Sequence, residues 1–150
     1  MKSIAWKYGL WMAAGFTGFF LLMYSAGVAH NYSLRMLNSV IHLGLLYGAI
    51  STYREYKPGK VGNYVSGVAM GMYSSVIGVL IFTIFMGAFL ALEGNLLAHI
   101  KETMPVGRYL TSLTTPIFIF VEGIAVSLIG SYLITRIVDD RMPQPEYPTD

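Results

Sequence analysis

Apolar residues gather in four long runs, at residues 7–29, 34–53, 64–92 and 113–137, and the polar residues collect mostly between them. A helix that crosses the ~30 Å hydrocarbon layer of a bilayer needs about 20 mostly apolar residues, and each run is near that length or longer. Inside hydrocarbon no water accepts backbone hydrogen bonds, so such runs satisfy themselves as helices. The pattern therefore predicts an all-α chain, an integral membrane four-helix bundle. The third run is the longest and must tilt or protrude from the layer.

The connections predict how the runs are joined. Residues 30–33 are a tight turn that makes the first two spans antiparallel neighbours. The loop R-E-Y-K-P-G-K-V-G-N at residues 54–63 carries Pro58 and Gly59 as a turn dipeptide. Residues 93–112 form the longest excursion. Leu96, Leu97, Ile100 and Met104 recur there at helical spacing, opposite Asn95, His99, Lys101 and Glu102. This predicts a short outer interfacial helix between spans three and four, with a packed loop over the bundle end as the alternative. Thr114, Thr115 and Pro116 place hydroxyl caps and a first-turn proline at the start of the fourth helix, near Thr115. The tail R-M-P-Q-P-E-Y-P-T-D has three prolines in ten residues and is expected to be extended. The bundle is expected at residues 1–137 and a proline-rich cytoplasmic tail at 138–150.

Charge sets the orientation. Lys2, Lys7, Arg54, Lys57, Lys60, Arg136 and Arg141 fall on one side of four spans, and Arg35, Lys101 and Arg108 on the other. The positive-inside rule then gives an N-in/C-in topology in a bacterial inner membrane. A cleaved signal peptide is the rival reading of the first run, but that run exceeds the 7–15 residues of a signal core. Charged residues make up 12% of the chain, against roughly 25% in soluble domains. The net charge of +2 comes with no clustered basic face, so nucleic acid is not an expected partner. The absence of cysteine excludes disulfides, thiolate metal sites and cysteine nucleophiles.

Small residues four apart mark candidate helix contacts, because they let backbones approach where lipid provides no drive for association. These are Ala14 and Gly18, Gly44 and Gly48, Gly67 and Gly71, and the ladder Gly123, Ser127 and Ser131. Packing within one chain is expected, ahead of a dedicated dimer seam. The polar residues of the spans are the candidate site. Glu122 lies near the middle of the fourth run, at least a few kcal/mol out of place unless protonated, paired, or facing water or protein. His42, Ser74 and Ser75 share its depth. A Glu122–His42 hydrogen bond is the expected pairing, holding register or lining a proton or ion path. His30, Glu93 and His99 sit at the outer boundary, but a Glu-x5-His spacing is not a recognised metal set. Trp6, Trp11, Tyr53, Tyr56 and Tyr64 read as an inner aromatic belt. No phosphate loop, zinc-protease motif or nucleophile elbow is present.

The K-Y-G at residues 7–9, the T-Y-R-E-Y at 52–56 and the glycine-bearing loop leading into Tyr64 and Gly71 resemble a family of small four-helix inner-membrane proteins of Bacteroidota, domain of unknown function 4199. The resemblance covers nearly the whole chain. It implies an inner-membrane location and four spans, and supplies no catalytic residues. The loop here is a looser version of the family's lysine- and glycine-rich one, and the tail is proline-rich instead of ending in lysines. The chain is thus expected to be a non-catalytic accessory or scaffold subunit, with no cofactor and no metal. Its expected partners are the lipid bilayer and other membrane-protein subunits or copies of itself. The alternative is a small oligomeric transporter or channel using Glu122 and His42.

Overall fold

The computed structural model describes residues 1–29, 36–103 and 107–143. Among these, every regular element is helical: α1 (Lys2–Ser25), α2 (Leu37–Tyr56), α3 (Tyr64–Leu92), α4 (Gly94–Thr103) and α5 (Thr114–Arg141), with single 3-10 turns at Pro58–Lys60 and Gly107–Tyr109. Helices α3 and α5 are long and apolar enough to cross a bilayer by length and composition, with mean hydropathies of 2.5 and 2.2. The turn at 30–33, Arg35, Met104 and the tail beyond Pro143 lie outside the described residues.

Helix ends follow local chemistry. After α1, Gly27 takes a positive φ of 71°. Its N–H bonds Tyr24 O and the Val28 N–H bonds Met23 O, a Schellman stop that a Cβ would disfavour. Pro58 excludes helical continuation just past α2. Asn63 caps α3 by accepting from the Ser66 N–H at 3.2 Å. The start of α5 departs from expectation. Thr111 Oγ1, not Thr114 or Thr115, accepts the Thr114 N–H, while Thr114 Oγ1 accepts the Thr111 N–H in return. Thr115 turns inward and is buried. At its other end α5 continues to Arg141, beyond the boundary expected at residue 137, because Val138 and Asp139 are buried against the bundle.

Residue pairings define the arrangement of the four long helices. Tyr8 meets Thr52 and Gly15 faces Ile41, so α1 and α2 are antiparallel neighbours. Gly67 faces Thr135, Gly71 faces Ser131 and Gly123 faces Val79, so α3 and α5 are antiparallel. Gly9 against Ile77 and Phe20 against Phe85 make α1 and α3 parallel. Helix α2 touches α1, α3 and α5, as α3 touches α1, α2 and α5. The helices thus alternate in direction along the chain. Lys2, Tyr56, Tyr64 and Arg141 share one end, here the base, and Ser25, Leu37, Leu92 and Thr114 share the other, the crown.

The interior is built from Met12, Phe16, Leu46, Ile50, Val79, Phe82 and their neighbours. The residues at 94–103 do form the expected amphipathic helix, α4. Its Leu96, Leu97 and Ile100 pack on that same core, so α4 closes the crown.

Candidate functional site

Two polar centres lie inside this apolar bundle. The first is midway along it, where the helical period brings one residue from each of three helices together. His42 Nε2 lies 3.1 Å from Ser75 Oγ on α3 and 3.0 Å from Ser127 Oγ on α5. All three side chains are buried. The Ser127 hydroxyl donates to Gly123 O at 2.6 Å, and the Ser75 hydroxyl donates to Met12 Sδ at 3.9 Å. Nε2 is thus shared between the two serine hydroxyls. The Phe16 ring stands edge-on to the imidazole, centroids 5.3 Å apart. Among the described residues the two serine hydroxyls lead on to a carbonyl and a thioether.

The second centre is at the base. Arg54, in the last turn of α2, is 0% exposed. Its Nε donates to Asp139 Oδ1 at 2.7 Å and its Nη2 to Oδ2 at 2.9 Å, the bidentate geometry that suits a guanidinium. Nη1 donates to Lys60 O at 2.5 Å and Ser66 Oγ at 2.8 Å, and Nη2 also to Asn63 O at 3.1 Å. These five bonds match the five N–H donors of the group. Ser66 Oγ is free to accept because its own proton goes to Asn63 O. One side chain thus ties α2, the 57–63 loop, the start of α3 and the end of α5.

Between the centres, Gly67 and Gly71 form the close contact expected of them. A Cβ on Gly71 would overlap the Ser131 hydroxyl, and one on Gly67 would overlap Thr135 and crowd Arg54 Nη2. Gly123 sits against Val79 and Gly48 against the Tyr8 ring. Gly44 does not join them, since a Cβ there meets nothing within 4 Å, and the same holds at Gly18 on α1. Gly18 and Ala14 are exposed. The α1 seam lies instead at Gly9, which approaches Ile77 and Ser74 O, across from Gly78.

Of the expected polar set, His42 and Ser75 come together, while Ser74 bonds back to Met70 O within its own helix. Ser127, expected only as a packing residue, completes the centre. Glu122 lies at an exposed position of α5. It is five residues from Ser127, about 140° around the helix at 3.6 residues per turn, and His42 Nε2 bonds the two serines instead. The missed residues are Arg54 and Asp139, assigned to a loop and a tail. A signal existed: two acidic residues in the last turn of a helix oppose its dipole, so Asp139 needed a cation.

At the crown, Glu93 and His99 line one pocket with Tyr24, and His30 lies outside the described residues. Among the described residues no three His, Cys, Asp or Glu side chains converge as a metal set. No family model, curated protein or solved structure matches the chain.

Proposed function

We propose that the chain is a multi-pass inner-membrane protein, N-in/C-in with four spans, that serves as a non-catalytic accessory subunit. The observation that carries the reading is its inverted polarity. Val65 is 77% exposed, Leu22 69% and Ile129 63%, and apolar side chains cover the outward faces of all four long helices. Meanwhile His42, Arg54, Ser75, Ser127 and Asp139 are inside. Soluble monomers rarely expose contiguous apolar patches beyond a few hundred Å², so lipid or protein must cover these faces. The Tyr64 and Tyr132 pair, with Trp6, lies toward the base, as an interfacial belt would, whereas Trp11 adjoins Met12 at the height of the His42 centre.

The accessory role is supported by how the interior polar groups are used. The His42 centre closes on a carbonyl and a thioether, and the Arg54 donors are all taken. These are the bonds of a scaffold rather than of a path. Glu122, exposed among Phe118, Val121 and Ile129, is the position from which a docking partner would be addressed.

Carbonate-washed membranes should retain the chain. Reporter fusions after Gly62 and Asp150 should read cytoplasmic, and one after Gly107 periplasmic. A periplasmic C-terminus overturns the span count. Reconstituted alone in liposomes, the protein should pass no ion or solute beyond empty vesicles. Flux that disappears in His42→Leu or Glu122→Gln overturns the accessory role.

A further inference from the structure

The crown carries a pocket of mixed apolar and polar lining that neither centre uses. It measures about 300 Å³ and is formed where the end of α1 meets the junction of α3 and α4. Glu93 is the residue between those two helices, outside both, with its N–H held by Phe89 O. The Tyr24 side chain lines the pocket with it. The Tyr24 ring is held edge-on to Phe89, centroids 5.0 Å apart. Asn95 and His99 line the same pocket from α4. They are four residues apart and so share one face of that helix. No lysine or arginine lines it among the described residues.

We propose that this pocket binds a primary ammonium group. A carboxylate offers about four acceptor sites. Asn95 brings a side-chain amide oxygen, a further acceptor, to the same pocket. An ammonium group is the complementary ligand, with three N–H donors, no acceptor and a positive charge. A volume near 300 Å³ is at the small end of ligand pockets, which suits an aminoalkyl group rather than a bulky cation. Two sources share this chemistry. One is the headgroup of an aminated phospholipid, which reaches the crown only if the membrane reading above holds. The other is a free alkylamine, which needs no membrane.

The test uses the full chain in a maltoside detergent and follows the shift of its thermal midpoint. Diheptanoyl phosphatidylethanolamine should raise the midpoint saturably, and phosphatidylglycerol of the same chain length should not. Glu93→Gln should weaken the effect at least tenfold. Glu102→Gln, the same charge change at an exposed position of α4, should leave it intact. Asn95→Asp adds a second carboxylate and should tighten binding, which separates lost affinity from a poorly folded Glu93 variant. Ethanolamine acting with the same Glu93 dependence identifies the free-amine source. Ethanolamine inert beside an active lipid identifies the headgroup. Equal effects of the two lipids, wild-type affinity in Glu93→Gln, or a response to zinc chloride alone overturns the proposal. A chain that stays monomeric and folded without detergent removes the membrane reading, and ethanolamine titration in plain buffer then decides the pocket by itself.

Discussion

Replacing Asp139 with alanine removes two of the five acceptors from a guanidinium that has no solvent exposure. Breaking a buried pair from one side costs about 3–5 kcal/mol, because the remaining charge is left uncompensated. The bonds to Lys60 O, Asn63 O and Ser66 Oγ survive, which places Asp139→Ala at the lower end, about 3 kcal/mol. Arg54→Ala strands the carboxylate, two backbone carbonyls and a serine, and belongs at the upper end, about 5 kcal/mol. The two changes share one interaction, so the double variant should be more stable than the sum by at least about 1 kcal/mol. Asp140→Ala is the control, since its neighbouring side chain is exposed and should move stability by no more than about 0.5 kcal/mol. The assay is reversible unfolding of the purified protein from mild detergent by titrated denaturing detergent. Raising the salt should not shrink the Asp139 effect, because buried pairs are screened far less than surface ones. An Asp139→Ala variant as stable as Asp140→Ala, or a strictly additive double variant, would show that the clasp does not hold the base together.

Three further outcomes follow from the packing, read in the same unfolding assay. His42→Leu leaves the Ser75 and Ser127 hydroxyls without their shared partner and should cost about 1–3 kcal/mol; an unchanged midpoint would remove the mid-bundle centre as a structural element. Glu122→Leu and Glu122→Gln should each stay within about 0.5 kcal/mol in the isolated protein, as exposed positions do, and a loss matching His42→Leu would return Glu122 to the interior. Gly71→Ala forces a Cβ onto Ser131 and should cost about 1–3 kcal/mol, whereas Gly44→Ala, in open space, should be neutral or stabilising by up to about 1 kcal/mol; equal effects would contradict the α3–α5 contact.

The course of the chain was readable from apolar run length alone, as α3 shows: an uninterrupted run between Asn63 and Glu93 has only one way to satisfy its backbone. What run length leaves open is rotation. Glu122 and Ser127 sit in the same apolar run, and depth counted along the run makes the carboxylate the natural partner of His42. The small ladder Gly123, Ser127 and Ser131 already marks the packed face, and Glu122 is about 140° away from its centre. Small residues themselves are ambiguous in the same way. Gly67 with Gly71 and Gly18 with Ala14 read alike in sequence, yet only the first pair is opposed by side chains that need the space. Arg54 was hidden for another reason. A basic residue beside a turn normally reports orientation, and its burial depends on Asp139, 85 positions away, where the proline-rich sequence beyond masks the true helix end.

The two polar centres together do something neither does alone. His42 with Ser127 and Arg54 with Asp139 are both separated by 85 residues. Equal separations at two levels mean that α2 and α5 run parallel without drift over twelve residues, about 18 Å. Twelve residues are three and a third turns, so the two bonds leave each helix in different directions and fix rotation as well as height. Ser75 and Ser66 bring α3 into both centres from the antiparallel direction. Apolar ridges of similar residues can slide past one another at little cost, particularly where the surroundings are as apolar as the core. A slip of one turn, 5.4 Å, would break both centres at once and leave an arginine, a carboxylate and an imidazole buried without partners. Helix α1 enters neither centre through a charged group. It is held by the Tyr8–Thr52 hydroxyl bond at 2.8 Å and by the Gly9 and Gly78 contact. The polar interior therefore acts as a register device for α2, α3 and α5, and this rigid trio presents the outward apolar faces of α2 and α5 at a fixed spacing to whatever covers them.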